Sequence, residues 1–243
     1  GDIILKKENS PYYVRDARVF VYRGGLVIPE PMLVIRSDTT LTVEPGVVIK
    51  FGNNAGLRSE GNLILKGTQD DPVVFTSFYD DEYGGDLDSD NGARLAAKGD
   101  WLGVFILSSN QNSSIDHTIF RYGGGIPIKT EYTFPEGTPV ISDTKALLSV
   151  KNASPLITNS IFEQSQNDGI NLFGSNSNVR LNIFNKNNGS AFSSFGKFGE
   201  YIDNSGSQNG INGIVLDSDV SATNDNIILR KNILPYVINS SSL

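Results

Sequence analysis

The chain has 243 residues, a formal net charge of −7, no cysteine and a single histidine. An acidic balance with scattered Lys and Arg excludes nucleic acid and anionic membrane as main partners, because phosphate neutralisation needs a concentrated basic surface. Missing cysteine removes disulfides, thiolate metal sites and Cys nucleophiles, and one histidine leaves zinc or iron almost without ligands. No apolar run approaches the about 18–20 residues that span a bilayer, so no membrane insertion is expected. The Gly1-Asp2 start lacks the charged and apolar segments of a signal peptide and reads as trimmed.

Residues 1–38 read as a lead-in belonging to the same domain, with strands at Arg18-Val-Phe-Val-Tyr22 and Met32-Leu-Val-Ile35. From residue 39 to 243 the chain reads as one solenoid. Thr40-Leu-Thr-Val43, a Glu44-Pro45-Gly46 corner, Val47 to Phe51, Gly61 to Leu65 and Val73 to Thr76 are short strands separated by tight corners. None is joined to the next by a two-residue Asn-Gly or Asp-Gly hairpin, so parallel stacking between coils is predicted. An acidic insert, 79–98, interrupts the coil before Trp101 to Leu107 resumes it; a second insert spans 123–143 and a third 193–209.

An echo runs through the second half: Ile115/Ile119/Phe120, Ile157/Ile161/Phe162, Val179/Ile183/Phe184 and Leu229/Ile233/Leu234. Ile119 to Ile161 is 42 residues and Ile161 to Ile183 is 22, read as two coils and one coil of a repeat of roughly 20–25 residues. A short period rich in Val, Ile, Phe and Asn predicts stacked strands, since helical repeats are longer. Asn159, Asn182 and Asn232 are expected at corners, satisfying backbone groups. Ser10-Pro11-Tyr12 and Leu234-Pro235-Tyr236 resemble each other, as though one cassette of about 224 residues had been cut from a longer array with adjacent modules of the same parent chain.

Across Leu41 to Phe51, Gly61 to Thr68, Asp71 to Ser77, Gly99 to Val104 and Ile115 to Gly124, the chain resembles right-handed parallel β-helix repeat proteins of bacterial surfaces. The resemblance implies an all-β, right-handed parallel β-helix with three short sheets and a secreted or cell-surface location; the length of the chain adds the expectation of roughly eight to ten coils, carrying the three inserted loops read above. It does not imply one chemistry, because the fold hosts polysaccharide lyases, hydrolases, adhesins and phage tail proteins.

Alternate aspartates at Asp86, Asp88 and Asp90, followed by Asn91-Gly92 and flanked by Asp80, Asp81 and Asp100, place hard oxygens as a calcium ion requires. The spacing resembles the first half of an EF-hand loop, but Ala97 stands where a bidentate Glu is expected, so the flanking aspartates would complete the shell. A structural role in pinning the insert is expected; a solvated acidic loop is the alternative. A calcium-dependent lyase would need a base from Arg94, Lys98, Arg121 or Lys129, yet no carboxylates recur on successive coils to line a groove. His117 beside Asp116 reads as a corner residue equivalent to Asn159, and Trp101 as a core indole. Phe195, Phe198 and Tyr201 are candidates for a carbohydrate surface or for sealing the third insert onto the rod. The expected function is non-enzymatic adhesion to polysaccharide or to a host or matrix surface. The alternatives are a polysaccharide lyase or hydrolase and a phage tail fibre module.

Overall fold

Short runs with Val, Ile, Leu or Phe at every second position, each ended by a residue that tolerates a left-handed backbone, leave this chain one economical way to bury its apolar face. The strands stack on the previous lap rather than folding back. The computed structural model describes residues 1–15, 20–22, 25–27, 32–107, 112–125, 145–217 and 228–239, with backbone alone at 20–22, 25–27 and 32. Twenty-two strands form three parallel sheets of seven, seven and eight.

Sheet 1 stacks Ile3–Leu5, Thr40–Val43, Asn62–Lys66, Ser114–Asp116, Leu156–Thr158, Asn178–Arg180 and Tyr201–Ile202. Sheet 2 stacks Tyr12–Val14, Val48–Phe51, Val73–Ser77, Thr118–Arg121, Ile161–Glu163, Ile183–Asn185 and Ser205–Ser207. Sheet 3 stacks Met32–Ile35, Gly56–Ser59, Gly103–Ile106, Ala146–Lys151, Asp168–Phe173, Ser190–Phe195, Ile211–Asp217 and Tyr236–Ile238. The fold is therefore a parallel β-helix of triangular section. Among the described residues it makes seven complete turns and part of an eighth, at the low end of the expected range. The lead-in supplies the first turn and carries one antiparallel hairpin, Phe20–Tyr22 with Gly25–Val27. The two Pro-Tyr segments occupy different sheets, Tyr12 in sheet 2 and Tyr236 in sheet 3.

Register makes the core a set of ladders. Val43, Leu65, Ile115, Ile157, Val179 and Tyr201 succeed one another on sheet 1. On sheet 2 the sequence is Ile49, Phe75, Phe120, Phe162 and Phe184, and rings of neighbouring phenylalanines lie 4.9–5.3 Å apart from Phe75 to Phe184. All of these are buried. Each such ring removes about 1.5–3 kcal/mol worth of apolar surface from water, and offset stacking adds to that.

Corners are polar and equally periodic. His117, Asn159, Leu181 and Asp203 hold left-handed φ at one corner, confirming that His117 and Asn159 are equivalent. Tyr122, Gln164, Lys186 and Gln208 do so at the second, and Asn152, Gly174 and Gly196 at the third, where glycine removes the Cβ strain. One residue beyond the first corner, Asn182, Asn204 and Asn232 form a hydrogen-bonded amide ladder with links of 3.1 Å. Asn159 thus turns the chain, whereas Asn182 and Asn232 belong to the ladder, a distinction the sequence pattern blurred.

Two expectations need correction. Thr118 N–H bonds Ser160 Oγ across 42 residues, and Ile119 is the direct neighbour of Ile161, so that spacing is one turn carrying a long insertion rather than two coils. The proposed third insert, 193–209, is no insert but part of the regular winding at 22 residues per turn, with Phe195 paired to Phe173 and Asp217.

Candidate functional site

Three excursions leave the same edge of the prism, where sheet 2 passes to sheet 3. In the first turn residues 15–31 intervene, in the third 78–102, and in the fourth 122–145, most of which lies outside the described residues. In the second turn the same edge is crossed tightly between Phe51 and Gly56.

The 78–102 excursion folds down over the outer face of sheet 2 and is tied there. Phe78 N–H continues the ladder to the Phe51 carbonyl at 2.8 Å, and its ring stacks on Tyr13. Lys50, fully buried although it projects outward from its strand, donates to the Gly85 carbonyl. Burial pushes the Lys50 ammonium below its ordinary pKa, against the pull of Asp80, Asp81, Asp88 and Asp86. Arg121, 6% exposed, is the second clamp. Its Nη1 donates to Glu82 at 2.7 Å and its Nη2 to the Tyr122 hydroxyl at 2.8 Å, while Nε lies 3.3 Å from Glu163 and 3.6 Å from Asp80. Those carboxylates, Asp80 foremost, hold the guanidinium more firmly protonated than usual despite its burial. Asp80 is itself buried, accepts from the Thr76 hydroxyl, and has its pKa raised by desolvation, which outweighs the help of Thr76 and Arg121.

The six aspartates named from the sequence separate into three groups. Carboxylate oxygens of Asp81, Asp86 and Asp90 all lie within 4.8 Å of one another. Backbone N–H groups shape this knot: Ser89 and Asn91 donate to Asp86 at 2.7 and 3.0 Å, and Ala93 and Arg94 to Asp90 at 2.9 and 2.7 Å. Asp88 shares a hydrogen bond with Asp86, which lowers the pKa of Asp86 and raises that of Asp88. Asp80 and Asp100 stand apart. Asp80 faces Arg121, and Asp100 closes the base of the excursion by accepting from Ser77 Oγ at 2.6 Å and Ala97 N–H at 2.9 Å. The donor set suits a hard cation, but three side chains supply only part of the six to eight oxygens calcium takes.

The other candidates disperse. Phe195 is half-buried on sheet 3; Phe198 packs against the core; Tyr201 is 2% exposed on sheet 1, edge-on to Phe192 at 5.0 Å. The three do not form one aromatic platform: Tyr201 replaces the aliphatic rung of its ladder. Trp101 is a core residue stacked on Phe51, its indole N–H donating to the Arg121 carbonyl at 2.9 Å. His117 Nδ1 lies 3.0 Å from Asp116, whose carboxylate also accepts from Thr158 and Asn159. Burial works to raise the Asp116 pKa, but these bonds prevail and lower it. Among the proposed bases, Arg94 lies 3.4 Å over the Tyr79 ring, Lys98 donates to Asn188 at 2.6 Å, and Lys129 falls outside the described residues.

Lys50 and Glu163 are the residues that sequence reasoning missed. Lys50 sits at an outward strand position, where a lysine ordinarily reads as solvated, and nothing local announces the loop that covers it. No protein-family model matches this chain, and no curated protein or solved structure does either. No helix among the described residues is long and apolar enough to cross a membrane.

Proposed function

We propose that this chain is a non-enzymatic binding module, secreted or held at a bacterial surface, that meets polysaccharide or matrix through loops carried on one edge of a rigid β-helix. Calcium bound by Asp81, Asp86 and Asp90 would stiffen the acidic loop. The observation that carries the reading is the clamping of that loop by Lys50 and Arg121: a long polar excursion is fixed in shape against a rigid face, as display demands. The resemblance to surface β-helix proteins supports it in the same direction.

The lyase alternative loses support at the same place. Arg121, the buried arginine nearest the aspartates, is held protonated by Asp80, Glu82 and Glu163, so it is poorly suited to withdraw a proton.

The test is retention on insoluble polysaccharides and on matrix-coated surfaces, compared with a variant in which residues 84–95 are replaced by a tight turn. Retention of the parent chain and its loss in the variant are expected. Equal retention of both would refute the role of the loop, and release of unsaturated uronides from pectin or alginate would refute the non-enzymatic reading.

A further inference from the structure

Beyond the excursions, the same edge is crossed tightly in the fifth to seventh turns, and an open groove of about 430 Å³ runs from it across the outer face of sheet 3. That volume falls within the range of small-ligand sites. Asp168 stands at its head, with Oδ1 accepting from Ser190 N–H and Oδ2 from Ser193 Oγ, each at 2.7 Å. A carboxylate offers about four acceptor sites, so Asp168 has capacity left for ligand hydroxyls. Ser190 forms part of the wall; it is 4% exposed, yet its Oγ has no hydrogen-bond partner in the protein. At the far end Phe195 and its register neighbour Asp217 line the groove, Asp217 already accepting from Asn239.

We infer that this groove binds a neutral oligosaccharide, with a sugar ring against Phe195 and its hydroxyls on Asp168 and Asp217. The inference deepens the polysaccharide-binding reading and rests on it. Among the described residues two carboxylates and no cationic side chain line the groove itself, Lys98 reaching only Asn188 at its rim, which disfavours uronates and other anionic chains. An aromatic face takes the C–H side of a sugar ring, and carboxylates accept the hydroxyl protons at its rim. Lys98 of the acidic loop donates to Asn188 at the head of the groove, so the loop abuts the groove at that end.

The test is titration of the ¹⁵N-labelled chain with cellotetraose, maltotetraose, xylotetraose and tetragalacturonate, followed by amide shifts. At least one neutral tetrasaccharide should shift Asp168, Ser190, Phe195 and Asp217 together, and tetragalacturonate should bind at least tenfold more weakly. F195A should weaken the neutral ligand about three- to tenfold, F195W should keep it, and F173A, one turn away and outside the groove, should leave it unchanged. Absence of shifts with all three neutral sugars, tighter binding of tetragalacturonate, or an F195A titration equal to that of the parent chain would each overturn the assignment. If F195A has no effect while the chain still holds insoluble polysaccharide through its acidic loop, the groove falls and the binding reading survives.

Discussion

Truncating Asn204 to alanine isolates what the amide ladder contributes. The Asn204 side chain donates to the Val179 carbonyl at 2.8 Å and to Asn232 Oδ1 at 3.1 Å, and it accepts from the Asn182 backbone N–H at 3.2 Å and Asn182 Nδ2 at 3.1 Å. After truncation Asn182 Nδ2 still reaches the Ile157 carbonyl at 3.0 Å, but the buried Asn182 N–H loses that acceptor. An orphaned buried donor costs about 1–3 kcal/mol, and the weakened Val179 and Asn232 acceptors add to it, giving a loss of roughly 2–4 kcal/mol. Urea unfolding followed by far-ultraviolet circular dichroism reads this as a midpoint lower by about 1 M or more, for a slope near 2–3 kcal/mol/M. The internal control is Asn159→Gly: that residue is exposed and left-handed at φ 50°, so glycine relieves backbone strain and should cost at most the exposed bond to Asp116, about 1 kcal/mol or less. A loss below about 1 kcal/mol for N204A, or equal losses for the two variants, would refute the ladder as a source of stability.

Arg121→Met should cost about 3–5 kcal/mol, because it strands Asp80 and Glu163 without their shared cation; the double variant R121M/D80N should recover part of that in urea melts, and a cost below 1 kcal/mol for R121M would contradict the clamp. Because burial raises the Asp80 pKa, the folded chain binds its proton at a higher pH than the unfolded chain, whose value is near 3.8. Stability of the parent relative to D80N should therefore grow as pH falls through the raised folded value toward 3.8, and a flat difference would sink the reading. Calcium at about 5 mM, with a dissociation constant on the order of 0.5 mM, should stabilise by about 1.4 kcal/mol, a few degrees in melting temperature. D86A/D90A should abolish that shift, and an identical melting temperature in chelator and in calcium would remove the ion from the loop.

How far the sequence disclosed all this depends on distance along the chain. The 22-residue period was legible because Ile157, Val179, Ile161, Ile183, Phe162 and Phe184 repeat both residue type and register. It faltered at 201–206, where Tyr201 and Gly206 occupy the rungs below Val179 and Phe184 and the pattern of residue types breaks while the backbone continues unchanged. The 42-residue step was misread because its insertion is nearly one period long. The acidic loop announced itself through Asp86, Asp88 and Asp90. Its clamp did not, since Lys50, Gly85, Arg121 and Glu163 come from different turns and meet only once the winding is known.

The edge between sheets 2 and 3 also obeys a rule that can be tested. Where it carries excursions, in turns one, three and four, no amide ladder occurs among the described residues; from the fifth turn Ser165, Asn187, Asn209 and Asn212 occupy it, linked by bonds of 2.9–3.1 Å. The two are incompatible for a physical reason: each Asn bonds the backbone one turn away only if the corner is tight enough to keep both turns in register. A flexible six-residue Gly/Ser insertion after Asn53, in the corner of the second turn that lacks the ladder, should then cost loop closure, about 1–2 kcal/mol, and at most about 1 kcal/mol more from the Asn53 bond to the Tyr79 hydroxyl and the Asn54 N–H bond to the Asp100 carbonyl. The same insertion after Asn187 should displace its backbone from Asn209 Oδ1, at 3.1 Å, and its amide from the Phe162 carbonyl, at 3.0 Å, adding about 2–4 kcal/mol. Urea midpoints for the two insertions decide the matter. Equal costs would mean that the ladder does not govern where this solenoid accepts loops, and that the excursions on this edge have another origin.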